Sequence, residues 1–145
     1  MLNIYSEISQ KTKLKGKSIV DLANLSLSAT SSENLARYTY MIERLAREKH
    51  TEFNFPKPEA YFHPENLGII YKSLLGLVLE GYTVEVSTYS SSFLNWVGEK
   101  IEYQEIAPTE VSVQVEHSGV SAIHLNYNSN GIIEGFPIGY FSPKN

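Results

Sequence analysis

The stretch from residue 53 to residue 90 constrains the fold more than any other part of this chain. It opens with an alternating apolar pair, Phe53 and Phe55, and continues through Pro56-Lys57-Pro58-Glu59-Ala60-Tyr61-Phe62-His63-Pro64. Residues 66–81 are then apolar on nearly every side (Leu67, Ile69, Ile70, Tyr71, Leu74, Leu75, Leu77, Val78, Leu79), and Gly81 ends the run. A second alternating segment, Thr83-Val84-Glu85-Val86-Ser87, leads into Thr88-Tyr89-Ser90. A helix apolar all round has to be buried, and two short strands flanking it form a right-handed βαβ unit. In such units functional groups gather where strands end and helices begin. The loops after Phe55 and Ser87 are therefore the places to look for chemistry. Strands buried on both sides read as continuous Val/Ile/Leu runs, so the alternation here predicts a sheet covered on one face. Asn54 and Glu85 would point at the other, uncovered layer as water-tolerant positions.

The rest of the chain fits one α/β domain over its 145 residues. Residues 1–30 are the least defined: residues 1–8 suit a strand, and Ile19, Val20, Leu22, Leu25 and Leu27 follow neither period. After a polar hinge at residues 28–32, Ser31 or Ser32 is placed to cap a helix reaching about residue 50. Leu35, Tyr38, Ile42, Leu45 and Ala46 form its apolar stripe, and Glu33 suits the positive end of its dipole. Phe93, Leu94, Trp96 and Val97 mark a shorter helix to about residue 103. Residues 109–116 and 120–127 alternate around His117-Ser118-Gly119 as a β-hairpin. The organisation expected is an undefined segment at 1–30, an α/β core at 31–103 and a β-rich part at 104–145.

Composition narrows the chemistry. With no cysteine there is no disulfide, thiolate metal site or cysteine nucleophile, and His50, His63, His117 and His124 lack metal-ligand spacing. No segment approaches the roughly 20 apolar residues of a membrane span, so no membrane partner is expected and cytoplasmic residence is the default. The net charge of −4 divides into a basic start (Lys11, Lys13, Lys15, Lys17) and an acidic last third. Lysines at alternate positions read as the solvated face of an edge strand in preference to a phosphate-binding run, and direct nucleic-acid contact is not expected.

The motifs add a resemblance. Pro58-Glu59-Ala60-Tyr61-Phe62-His63-Pro64 resembles the Pro-Glu-x-His-Leu-His-Pro box of ABC-type ATPases of the overcoming-lysogenisation-defect and SMC-like branch. Thr88-Tyr89-Ser90 followed by Phe93-Leu94 resembles the Thr-His-Ser segment of that family, and Gly135-Phe136-Pro137-Ile138-Gly139-Tyr140-Phe141 is similar to the ending of one of its subgroups. The likeness spans about residues 31–141 and implies a partial ABC-ATPase-like lobe with a βαβ core and a C-terminal β-hairpin. The departures fall on the reactive groups. Pro56 and Lys57 stand where the family has its metal-binding and catalytic acids, Tyr61 replaces the first histidine of the box, and Tyr89 replaces the switch histidine. There is no Gly-x-x-x-x-Gly-Lys-Ser/Thr; Gly16-Lys17-Ser18 lacks the earlier glycine and leaves no room for an N-terminal lobe.

The expectation is a chain with no catalytic, metal-binding or cofactor-binding residues that does not hydrolyse ATP and binds a protein partner. The family's dimeric habit points to a full-length ABC-type ATPase or to a homo-oligomer, and its occurrence in antiphage systems points to defence or counter-defence. The candidate contact residues are Lys57, Glu59, Tyr61, His63, Tyr89, Phe136 and Tyr140. Taken singly, Glu59 and His63 read as capping or surface residues in preference to functional ones. The competing expectation is an enzyme: a split half completing a nucleotide site in trans, or an unrelated hydrolase using Glu59, His63 or Tyr89. An acid/base pair at Glu116 and His117 is the weakest variant, having no nucleophile beside it.

Overall fold

The computed structural model describes residues 1–6, 14–45, 47, 51–116 and 123–135. Their elements run β1 (Leu2–Ser6), β2 (Lys17–Ser18), α1 (Ile19–Ala23), α2 (Ser31–Leu45), β3 (Glu52–Pro56), α3 (Pro64–Leu79), β4 (Thr83–Thr88), α4 (Ser91–Glu102), β5 (Val111–Val115) and β6 (Ile123–Leu125), with single 3-10 turns at Pro58–Ala60 and Pro108–Glu110. The fold is α/β. One six-stranded sheet has the order β2-β3-β4-β1-β5-β6. Its first five strands are mutually parallel and β6 runs antiparallel to β5. The expected βαβ unit is β3-α3-β4, two neighbouring parallel strands joined by the apolar helix. The hairpin is β5-β6; its turn lies outside the described residues.

The strand read at residues 1–8 is present as β1, and it occupies a central position in the sheet that the sequence does not indicate. β1 lies between β4 and β5, with Leu2 opposite Val84 and Val111 and Ile4 opposite Val86 and Val113. Five residues that alternate weakly do not announce a central strand, because only two of their side chains are large and apolar. Lys17–Ser18 pairs with Phe53 and Asn54 as the edge strand. Of the alternating lysines, Lys17 lies in this strand and Lys15 in the crossing before it, and both are exposed. Lys11, Lys13 and His50 lie outside the described residues.

Register divides the sheet into two unlike faces. Phe53, Phe55, Leu2, Ile4, Val84, Val86, Val111, Val113 and Val115 share one face and one core with Tyr38, Met41 and Leu45 of α2, Ile70, Leu74 and Val78 of α3, and Phe93, Val97 and Ile101 of α4. Tyr38 is stacked 6.2 Å from Phe55, and Tyr71 of α3 lies 4.6 Å from Phe93 of α4. The opposite face carries Asn3, Tyr5, Asn54, Glu85, Ser87, Ser112 and Gln114.

Here one expectation is corrected. Asn54 and Glu85 are 8% and 5% exposed, not open to water, because the chain's own residues 15 and 16 lie on them. The Lys15 amide donates to Glu85 Oε1 at 2.6 Å, while Tyr5 Oη and Asn3 Nδ2 donate to Oε2 at 3.0 and 3.4 Å. Asn54 Nδ2 donates to the carbonyls of Lys15 and Gly16 at 3.3 and 3.0 Å. Gly16 permits the crossing: its φ is +89°, and a Cβ would sit 2.6 Å from the Glu52 backbone. Gly16-Lys17-Ser18 is thus a crossing and an edge strand, not a phosphate loop.

The helices differ from expectation in detail. α2 is capped by Thr30, whose hydroxyl accepts from the Glu33 amide at 3.1 Å and donates to the Glu33 carboxylate at 3.1 Å. Its buried stripe is Asn34, Tyr38, Met41 and Leu45, with Leu35 and Ile42 at the margin and Ala46 outside the described residues. A fully buried asparagine displaces the stripe by one position. α3 ends in a Schellman motif, with Tyr82 N–H to Leu77 O, Gly81 N–H to Val78 O and Gly81 at φ +102°. Tyr127 Oη donates to the Leu94 carbonyl at 2.7 Å, docking the chain after β6 on α4.

Candidate functional site

All parallel strands end at one edge of the sheet, and the two loops singled out from sequence leave from neighbouring strands there, β3 and β4. Lys57 follows β3 in the left-handed region (φ +50°), which turns the chain from strand into the 3-10 turn at Pro58–Ala60. Its amide donates to the Ser87 carbonyl at 2.9 Å, and its Nζ stands 4.4 Å from the centre of the Tyr89 ring. Glu59, in that turn, reaches across to the second loop. Its Oε1 accepts from Thr88 Oγ1 at 2.9 Å and from the Tyr89 amide at 3.0 Å. Thr88 Oγ1 in turn accepts from the Ser90 amide, and Ser90 Oγ caps α4 through the Ser92 amide. The first loop is thereby tied to the second and to the start of the next helix.

The structure brings together Lys57, Glu59 and Tyr89 and separates Tyr61 and His63 from them. Tyr61 is half-buried with its ring 6.2 Å from Phe55, and its carbonyl accepts from Asn34 Nδ2 at 3.0 Å. His63 caps α3: its Nδ1 accepts from the Glu65 amide at 3.2 Å, Pro64 fills the first helical turn, and its own amide donates to Ser31 Oγ at 2.8 Å. His63 thus has the capping role open to it from the sequence, with its side chain exposed. His124 is exposed on β6 with Nε2 2.9 Å from Gln114 Nε2. The antiparallel register puts Ile123 and Leu125 on the apolar side of the sheet and His124 on the polar one. Glu116 bonds through its amide to the Ser6 carbonyl. Phe136, Tyr140 and His117 lie outside the described residues.

Three participants escaped sequence reasoning. Thr88 was read only as part of a motif, yet it is the hydroxyl that joins Glu59 to α4. Tyr71 was read as core filling, yet its hydroxyl is a polar group in that core. Burial is the largest influence holding this phenol in its neutral form; nearby Glu59 acts in the same direction and Ser92 against it. Asn34, 0% exposed, pins the segment before the hinge to the first site loop by bonds with Ser26 N, Ser26 O and Tyr61 O. A polar residue inside an apolar stripe was the available signal for it.

Fold and loops together define an open α/β sheet with a strand-end site built on one carboxylate, one ammonium and one exposed phenol. Among the described residues no group of three His, Asp or Glu is arranged to hold a metal ion, and no helix is long and apolar enough to cross a membrane. Comparison of the chain with protein-family models, with curated proteins and with solved structures finds no match.

Proposed function

We propose that this chain is an ATPase-like lobe that does not turn over nucleotide and serves as a binding partner or regulator of a full-length ABC-type ATPase. The observation that carries the reading is the engagement of Glu59. A carboxylate that holds Mg²⁺ or orients water must present lone pairs to the substrate. Glu59 Oε1 is instead taken by Thr88 Oγ1 and the Tyr89 amide, and its Oε2 is buried away from the surface, so the carboxylate acts as a tie between loops. Lys57, at the strand end where the resemblance puts an acid, turns its ammonium over Tyr89. What this edge offers outward is Lys57 and the Tyr89 ring, which is 45% exposed, and tyrosine is favoured as an interface anchor. A role in phage defence or counter-defence rests on the sequence resemblance alone.

Phosphate release from Mg-ATP, measured for the isolated chain and for the chain mixed with an ABC-type ATPase captured from its native host, tests the proposal. No release is expected from the isolated chain, and a change in the ATPase's rate is expected in the mixture. Turnover by the isolated chain that disappears in Glu59→Gln would overturn the reading in favour of an enzyme.

A further inference from the structure

Glu59 Oε2 and Tyr71 Oη are both buried, and among the described residues neither finds a hydrogen-bond partner. Each would carry a desolvation cost of roughly 1–3 kcal/mol if left so. Both groups belong to one place. Glu59 is bonded to Thr88 and Tyr89, the Tyr71 ring packs 4.6 Å from Phe93 four residues further on, and the charge of Glu59 acts on the Tyr71 phenol, which puts both side chains at the connection from β4 into α4. Tyr71 itself is 4% exposed. The carboxylate oxygen lacks a donor; the phenol, neutral at ordinary pH, is approached by the Ser92 hydroxyl but has no acceptor within hydrogen-bond distance among the described residues, and the two groups make no direct bond with each other.

We propose that a single structural water molecule bridges Tyr71 Oη and Glu59 Oε2, accepting from the phenol and donating to the carboxylate. Water meets both needs at once, whereas a cation would satisfy the carboxylate and leave the phenol proton without an acceptor. Buried waters typically make about three hydrogen bonds to groups that otherwise lack partners. The Ser92 hydroxyl, which already acts on Tyr71, is the third group at hand. With the water in place, both oxygens of Glu59 are committed, and α3, the first site loop and the start of α4 form one polar joint. The inference rests on burial and bonding and stands whether or not the chain partners an ATPase.

Tyr71→Phe tests it, because the change removes only the hydroxyl. If the hydroxyl holds a water against Glu59, the variant loses that bridge, and its folding equilibrium constant falls about fivefold or more. The losses in Tyr71→Phe and Glu59→Gln should then overlap, so that the double variant is more stable than the sum of the single losses predicts. A crystal structure of the wild type should show a spherical peak roughly 2.5–3.0 Å from both oxygens, absent in Tyr71→Phe. A Tyr71→Phe chain as stable as the wild type or more so, strictly additive losses, or no density between the two oxygens would overturn the proposal. So would an anomalous peak at that point after soaking in rubidium or thallium salts, which would make the occupant a cation.

Discussion

The two faces of the sheet use the same strands and opposite means of cohesion. Phe53 and Asn54 are neighbours in β3, as are Val84 and Glu85 in β4, yet one of each pair enters the helical layer and the other lies under residues 15 and 16. Apolar burial depends on area and tolerates several arrangements of side chains. The polar face depends on direction: Glu85 is held by an amide, a phenol and a carboxamide, each of which loses its partner if the carboxylate goes. A layer of helices can be exchanged for another apolar layer. The crossing of residues 15 and 16 is specified bond by bond.

The largest effect is expected on the helical face. Leu74, at the middle of α3, is 1% exposed, so Leu74→Ala should cost roughly 2–5 kcal/mol in a denaturant titration. A variant as stable as the wild type would mean that α3 is not the centre of the core.

On the polar face, Glu85→Leu keeps bulk and removes every acceptor. Hydrogen bonds to charged groups are worth about 1.5–3 kcal/mol, and the loss here should reach the upper part of that range. Glu85→Gln, which retains one acceptor, should lose less. Equal losses for Leu and Gln would show that the charge, not the set of hydrogen bonds, holds the crossing, and no loss for either would remove the contrast between the faces.

How much of this was legible in the chain follows from the same contrast. Periodicity reports which side chains avoid water, so the βαβ unit, the hairpin, the core helix and the one-sided apolar pattern could all be read. What periodicity cannot report is what covers a polar face, because Asn54 and Glu85 look alike whether they meet solvent or a backbone donor seventy residues away, as Glu85 does at Lys15. The central place of β1 was hidden for a related reason: its neighbours are fixed by long-range pairing with Val84 and Val111, which no local window contains. At the candidate site the loops and Lys57, Glu59 and Tyr89 were found. The tie from Glu59 to Thr88 was not, since it is a hydrogen bond across loops that lie far apart in sequence.

Alkaline pH distinguishes the faces again. Tyr5, on the polar side, has its pKa pushed up to about 12, first by burial and then by its hydrogen bond to Glu85 and the charge of that carboxylate. Burial raises Tyr38 and Tyr127, in the helical layer, further still, with a hydrogen bond from Ser73 opposing it at Tyr38. The folded state therefore retains these protons when the unfolded chain releases them, near pH 10. The stability this confers is complete below about pH 10 and is lost as pH rises through the folded values. Absorbance of ionised tyrosine should show Tyr5 titrating before the buried pair, and Tyr5→Phe should delete the earlier of these high-pH steps. Simultaneous ionisation of all three at the unfolding transition would mean that the polar face is no more accessible than the core.

The smallest effect on stability, and the largest expected on association, belongs to Tyr89. Its ring is 45% exposed, and its side-chain contact is the Lys57 ammonium, an interaction worth about 0.5–1 kcal/mol at an exposed site. Tyr89→Ala should therefore leave the melting temperature nearly unchanged, because the bonds to Glu59 use the backbone amide and Thr88, which the substitution keeps. Tyr61→Ala is the matched control in the neighbouring loop. That ring is half-buried against Phe55, so its removal should cost about 1–3 kcal/mol. If the strand-end edge is the docking surface, Tyr89→Ala should weaken binding to the captured ATPase about tenfold while remaining folded, as expected of an anchor residue. Tyr61→Ala should bind normally once the unfolded fraction is discounted. The reverse result, in which the folded Tyr61→Ala chain loses binding and Tyr89→Ala keeps it, would move the interface off this edge and toward the junction of α2 and α3, where the Tyr61 carbonyl meets Asn34.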